Sequence, residues 1–170
     1  MTPRPAYQPS AVQELCLRAA LSPGQPGRDA WRRVLAAAAL EDLDRACRSL
    51  LPLVYRNLAG PGADDREVDG LKERYLETWS ANQRIFDCVL PLLRALEQAG
   101  IDVIVLKGLA MIAGFYRDPG LRPMADVDVL VAPAEAERAG RVAVGAGWQP
   151  RYPLTAAFLR VKHAGPFDHP

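Results

Sequence analysis

Two aspartates, Asp126 and Asp128, stand one residue apart in the apolar run DVDVLV. In a strand, residues i and i+2 point to the same face, so both carboxylates are expected to project together while Val127, Val129 and Val131 pack into a core. Carboxylates held that close repel each other, and a divalent cation between them removes the repulsion. Oxygen ligands suit Mg²⁺ or Mn²⁺, and Mg²⁺ completes its shell with water and substrate phosphates. The pair therefore predicts a metal site; an exposed edge strand that carries Asp twice is the alternative.

The dipeptide Lys107-Gly108 joins a short apolar run, IDVIVL, to a helix-like segment, GLAMIAGFY. Glycine permits close backbone approach, and the start of a helix offers unpaired N–H groups to an anion. Lys107 adds a positive charge suited to phosphate. An ordinary structural turn explains the dipeptide alone, but beside a metal-binding aspartate pair it predicts a phosphate-binding turn.

The elements that must position these residues change character at Gly100. Ser10 and Gln13 form a capping-box pattern that opens the first of several helices. The segments up to Gly100 show apolar residues at helical spacing, with Pro52 near a helix start and a kink at Pro91. After Gly100, IDVIVL and DVDVLV are typical of buried strands, and helices follow each of them. The order predicts an α+β (α/β-like) protein, with a helical N-terminal region over 1–99 and a strand–helix–strand–helix region over 100–170.

Composition and charge exclude several classes of protein. The chain has 170 residues, of which 49% are hydrophobic and 24% charged, as expected for one globular domain with or without a helical extension. The 21 basic and 20 acidic residues leave a net charge of +1, so no duplex nucleic acid is expected as a partner.

The sequence also predicts a soluble, cytoplasmic protein. The N-terminal MTPRPAYQPS lacks the apolar core of a signal peptide, and the most apolar stretch is interrupted by Asp102 and Lys107, so no membrane association is expected. The three separated cysteines, Cys16, Cys47 and Cys88, lie in helical apolar contexts and are predicted to fill the core.

The segment VIVLKGLAMIAGFYRDPGLRPMADVDVLVAPAEAERAGRVAVGAGW resembles the uncharacterised nucleotidyltransferase family of the DNA polymerase beta superfamily. The matching features are an L-K-G turn, an aromatic residue in Y-x-D-P, Arg-Pro before D-x-D-L-V, and a helix ending in Gly plus an aromatic residue. The upstream LLPLVYRNL and the long helix before Gly100 are similar to that family's helical region.

The resemblance implies a small mixed β-sheet with flanking helices over 100–170. It also implies metal-dependent transfer of a nucleoside monophosphate from an NTP to a hydroxyl acceptor, which is a small molecule, a peptide or a protein. It places Lys107 and Gly108 where the superfamily has the Gly-Ser that grips the triphosphate. It makes Asp126 and Asp128 the catalytic, metal-binding carboxylates.

Two further residues complete the predicted nucleotide site. Arg122 precedes the aspartates and is expected to pair with phosphate bidentately, with a surface loop arginine as the alternative. Tyr116 either stacks on a base or packs into the core.

The resemblance also implies a third carboxylate, on a later strand, that acts as the base. The later acidic residues are Glu135 and Glu137 on a helix and Asp168 in the turn-like GPFDHP, where His163 and His169 make only a weak metal candidate. We therefore expect the fold to be incomplete at the C-terminus, with an open sheet edge that a partner or a second copy covers. The alternative function is a catalytically inactive nucleotide-binding or protein-interaction module.

Overall fold

The structure is a computed structural model that describes residues 8–60, 65–153, 155 and 165–169. The helices are α1 (Ala11–Leu21), α2 (Gln25–Ala37), α3 (Arg45–Leu58), α4 (Asp65–Gln98), α5 (Lys107–Met111) and α6 (Ala136–Gly145). The strands are β1 (Val103–Val105), β2 (Val129–Val131), β3 (Gln149–Pro150) and β4 (Phe167–Asp168). A π-helical turn (Ile112–Tyr116) follows α5, and a 3-10 turn (Pro119–Leu121) follows it. The predicted α+β class is confirmed.

The described strands form two separate antiparallel pairs, β1 with β2 and β3 with β4. Among the described residues no parallel pair completes the mixed sheet that was expected. Ile104 and Leu130 face each other in the β1–β2 register and are 61% and 51% exposed. The prediction of buried strands is therefore wrong for this face, because no layer of the described chain covers a ribbon of two short strands.

The chain divides into two compact units. The helical unit comprises the described residues up to Asn82 together with Tyr116–Pro123, and the strand unit comprises Gln83–Phe115 and the described residues from Met124 onward. The boundary predicted between residues 99 and 100 stays a prediction. No helix in the described ranges is long and apolar enough to cross a membrane.

A single hydrophobic core holds the helical unit together. Its buried members are Cys16, Ala19, Ala20, Ala30, Trp31, Val34, Leu43, Cys47, Leu51, Leu53, Val54, Leu58, Leu71 and Leu121. The predicted capping box at the start of α1 is confirmed, since Ser10 Oγ accepts from Gln13 N at 3.2 Å and Gln13 Oε1 accepts from Ser10 N at 2.8 Å.

Helix α3 starts earlier in the chain than the sequence predicts. Asp44 caps this helix, its Oδ1 accepting from Cys47 N at 2.8 Å, so Pro52 lies inside the helix and not near its start. Helix α4 begins at Asp65 and continues through Pro91, where the sequence predicted a kink. The Asp44 cap, and not the position of Pro52, therefore marks the start of α3.

Two of the three cysteines, Cys16 and Cys47, fill the core as predicted, and Cys88 is only partly buried. Cys16 and Cys47 are fully buried neighbours on α1 and α3. Burial, followed by the hydrogen bond that the Cys47 thiol donates to the Cys16 sulfur, raises the pKa of Cys47 to about 12, and burial also raises the pKa of Cys16. Both thiols stay protonated at neutral pH, as expected for structural cysteines.

Asp44 makes the helical unit sensitive to acid. Its hydrogen bond from the Cys47 backbone N–H, followed by that from the Gln13 side chain at 2.6 Å, lowers its pKa. A lowered folded pKa gives stability that is complete above the unfolded value of about 4 and is lost as pH falls through the folded pKa. We expect Asp44→Ser, which caps without titrating, to flatten the fall in melting temperature between about pH 6 and 3.

Circular dichroism melts across that pH range measure the effect. Asp42→Ser, which removes an exposed carboxylate two residues away, is the matched control and should follow the wild-type curve. Parallel curves for wild type and Asp44→Ser would contradict the assignment.

Candidate functional site

The β1–β2 ribbon brings the two halves of the predicted site together. Val105 pairs with Val129, and the Leu106 N–H donates to the Asp128 carbonyl at 2.9 Å, which continues the ladder by one residue. Lys107 therefore follows directly beside Asp128. Its Nζ lies 2.9 Å from Asp128 Oδ2, so the lysine of one predicted motif is ion-paired with an aspartate of the other.

The aspartates precede β2 and do not lie inside it, which corrects the expected six-residue strand. Regular strand pairing begins at Val129, opposite Val105, and only the Leu106–Asp128 backbone hydrogen bond extends it toward the aspartates. Asp126 is exposed, and the Asp128 side chain is 35% exposed. The expected core face is incomplete, since Val129 is 38% exposed.

Both carboxylates act on the same ammonium group. The pKa of Lys107 is raised, first by its hydrogen bond with Asp128, then by the charge of Asp128, and more weakly by the charge of Asp126. The Lys107 side chain is 69% exposed, so this cluster is open to solvent and to ligands. The three charged residues predicted from separate motifs thus meet at one end of the ribbon.

The backbone at this turn is specialised in two ways. Lys107 has φ +48°, a left-handed conformation that is strained for a residue with a Cβ atom. At Gly108 an added Cβ would lie 2.8 Å from Met124 Cγ and Sδ, so glycine allows the close approach of this loop. Helix α5 has only five residues, so the charge of Lys107, more than the helix end, is the feature that suits phosphate.

The strain at Lys107 can be separated from its charge. Both Lys107→Gly and Lys107→Ala remove the ammonium, but only glycine adopts a positive φ freely. We expect the glycine variant to melt at the higher temperature of the two. At Lys72, an exposed position within α4, the same pair of substitutions should give the opposite order, because glycine weakens a helix. If Lys107→Gly melts at the same temperature as Lys107→Ala, or at a lower one, the backbone at position 107 is not strained.

Arg122 and Tyr116 belong to the helical unit, where they line a cavity of about 230 Å³. Leu50 and Leu53 of α3 form part of its wall, and Leu121 forms another part. Tyr116 packs against the hydrophobic core, as one of its two expected alternatives requires. Arg122 is half-buried, and its Nε is a buried nitrogen without a hydrogen-bond partner.

Asn82, which the sequence analysis missed, fixes the loop that carries Arg122. This α4 residue is fully buried, and its Nδ2 donates to the Pro119 carbonyl at 2.6 Å and to the Arg122 carbonyl at 2.7 Å. The sequence feature that could have indicated this contact is the spacing of Asn82 and Tyr75. They are seven residues apart and therefore lie on the same face of α4.

Tyr75 forms a second anchor for the same loop. Its hydroxyl donates to the Asp118 carboxylate at 3.1 and 3.2 Å, and Asp118 Oδ1 also accepts from the Gly120 N–H at 2.8 Å. An added Cβ at Gly120 would lie 2.2 Å from the Tyr75 ring, so this turn requires glycine for space. The loop is therefore held rigidly against α4.

The later acidic residues are engaged in ion pairs. Asp168 lies in β4, not in a turn, and both of its carboxylate oxygens accept from Arg151, at 2.6 and 2.7 Å. Glu135 and Glu137 pair with arginines one turn further along. His163 lies outside the described residues. Within the described part of the chain, no group of three or more His, Cys, Asp or Glu side chains is arranged to hold a metal ion.

The donor set at the ribbon suits a metal that arrives with phosphates. Two carboxylates, one exposed and one half-buried, give too few ligands for a tightly held resident ion. Mg²⁺ keeps several waters and uses one or two carboxylates plus substrate phosphates, a requirement that Asp126 and Asp128 fit.

Residues 29–169 match the model of a family described as uncharacterised nucleotidyltransferase. The chain belongs to this family. Membership confirms the resemblance seen in the sequence and gives the chain a general role in nucleotidyl transfer. The match includes both the Lys107–Asp128 cluster and most of the helical unit. Comparisons with curated proteins and with solved structures give no significant match.

Proposed function

We propose that this nucleotidyltransferase-family chain binds an NTP together with Mg²⁺ or Mn²⁺ and transfers its nucleoside monophosphate to a hydroxyl acceptor. The observation that supports the proposal is the convergence of Lys107, Asp126 and Asp128, with the Lys107 Nζ 2.9 Å from Asp128 Oδ2. A basic group beside two carboxylates is suited to the mixed charge of a metal–triphosphate complex.

Each residue has a defined role in this proposal. Asp126 and Asp128 hold the divalent cation, which would supply charge stabilisation at the transferred phosphoryl group and the leaving pyrophosphate. Lys107, ion-paired with Asp128 when no nucleotide is bound, turns its ammonium to a phosphate oxygen. Gly108 keeps the turn open for that approach. In the transfer, the acceptor oxygen bonds to the α-phosphorus as the bond from that phosphorus to the pyrophosphate oxygen breaks, and the hydroxyl proton passes to solvent water.

Arg122 and Tyr116 enter this proposal as nucleotide contacts on the strength of the sequence. Both residues line a cavity of the helical unit.

A catalytically inactive nucleotide-binding module is the second candidate. It is favoured by the ion pairs that occupy the later carboxylates of the described chain, Asp168 with Arg151 among them. Such a module would bind the nucleotide by the same residues without releasing pyrophosphate.

Calorimetric titration with ATP, GTP, CTP and UTP, with Mg²⁺ and with EDTA, tests the proposal. We expect binding of at least one nucleotide that requires the metal. Binding that is absent, or equal in EDTA, contradicts the site. A pyrophosphate-release assay with candidate hydroxyl acceptors then separates the transferase from the inactive module.

A further inference from the structure

The cavity of the helical unit is lined by a positively charged side chain, Arg122, that has an unused hydrogen-bond donor. Arg122 lines the cavity, and its Nε–H is buried without a hydrogen-bond partner. Within the described residues, no carboxylate forms an ion pair with its guanidinium. Buried polar groups are nearly always hydrogen-bonded, so a buried donor of a charged group without a partner indicates a group that the protein binds from outside.

The side chain is presented by a prearranged backbone. Asn82, itself fully buried, holds the Arg122 carbonyl at 2.7 Å, and Pro123 restricts the backbone on the other side. Tyr75 and Asp118 fix the preceding turn. Because the loop is ordered before a ligand arrives, binding does not have to offset the entropy of ordering it.

The remaining walls define the ligand's chemistry. Leu50, Leu53, Leu121 and Pro123 are apolar, Tyr116 adds an aromatic side chain, and Ser49 adds a hydroxyl group. Nε and an Nη of a guanidinium together match two oxygens of a carboxylate or phosphate. The volume of about 230 Å³ is smaller than the ~300–1,000 Å³ of pockets that enclose drug-sized ligands, so it suits a small molecule or a single end group.

We propose that this cavity binds an oxyanion, a carboxylate or a phosphoryl group, attached to a small apolar or aromatic body, with Arg122 as the anion-recognising residue. The proposal does not rest on the proposed function, because every residue that lines the cavity belongs to the helical unit. It assigns Arg122 a ligand through its own buried donor and gives Tyr116 a place beside the ligand's apolar part.

Nuclear magnetic resonance of the full ¹⁵N-labelled chain tests the proposal directly, because arginine Nε–H groups give their own signals. Arg122→Gln identifies the Arg122 signal by its disappearance. Benzoate and phenyl phosphate are the probes, without metal, and benzamide is the neutral probe of similar shape. We expect benzoate to shift the Arg122 Nε–H signal and to bind at least about tenfold more tightly than benzamide.

The variants separate this site from the nucleotide site. Arg122→Gln should reduce benzoate binding to the level of benzamide, whereas Arg33→Gln, at an exposed arginine of α2, should leave it unchanged. Asp126→Asn with Asp128→Asn should also leave it unchanged. Tighter binding of phenyl phosphate than of benzoate would identify a phosphoryl ligand, and the reverse a carboxylate.

Three results would overturn the proposal: binding of both benzoate and phenyl phosphate no tighter than that of benzamide, no response to either oxyanion, or an undiminished response in Arg122→Gln. If Arg122→Gln fails to fold, the comparison of the two oxyanions with benzamide on the wild-type chain still decides.

Discussion

Replacing Asp126 and Asp128 together with asparagine is expected to weaken metal-dependent nucleotide binding by at least about 100-fold. Asparagine keeps the shape of each side chain but removes both negative charges. Mg²⁺ gives up its water only to strong oxygen donors, and a neutral amide oxygen is a poor substitute for a carboxylate. Binding of the nucleotide without metal should change much less.

The fold should survive this double change. Asp126 is exposed, and the ion pair that Asp128 makes with Lys107 is mostly exposed, so its loss costs little stability. The loss of binding can therefore be assigned to the site by calorimetry with Mg²⁺ and with EDTA, supported by unchanged melting curves. Asp102→Asn removes an exposed carboxylate of the same unit and is the control that should bind as wild type does. Metal-dependent binding retained by the double variant would place the metal elsewhere.

The sequence was sufficient to identify the charged cluster because its members flank two adjacent strands. Lys107 follows the first apolar run and Asp128 immediately precedes the second, so antiparallel pairing of the runs places them side by side. The placement of Lys107 beside Asp128 depends only on the pairing of two neighbouring strands. It could be predicted because few other interactions compete with that pairing.

The extent and burial of those strands could not be predicted from the same runs. Ile104 and Leu130 are as apolar as core residues, yet both are more than half exposed, because burial depends on whether another layer packs on that face. Periodicity reports which residues share a face but not what covers it.

The cavity was also beyond sequence reasoning. Its anchor joins Asn82 to carbonyls at residues 119 and 122, which lie 37 and 40 positions away. A lone asparagine in a long amphipathic helix is as compatible with an exposed face as with a buried clamp. Only the packed loop distinguishes the two, and it also leaves the Arg122 Nε–H without a partner.

Asn82→Leu is expected to have the largest effect on stability, lowering the free energy of unfolding by about 2–3 kcal/mol. Leucine has a similar volume but no donor, so the carbonyls of Pro119 and Arg122 lose hydrogen bonds of 2.6 and 2.7 Å from a side chain that is itself fully buried. Urea unfolding at neutral pH measures the change. Since the loop then loses its anchor to α4, the benzoate-dependent shift of the Arg122 Nε–H signal should also weaken.

Asn57→Leu separates the loss of stability from the loss of the loop anchor. Asn57 makes the same kind of contact, its Nδ2 donating to the carbonyls of Ala19 and Ala20 at 3.2 and 2.6 Å, so these hydrogen bonds anchor α1 and not the 116–123 loop. It should destabilise the chain and leave the benzoate response intact. An Asn82→Leu variant as stable as wild type would show that the clamp contributes nothing. An equal benzoate response in the two leucine variants would show that the cavity does not depend on the Asn82 contact. Arg122 would then bind benzoate without help from Asn82.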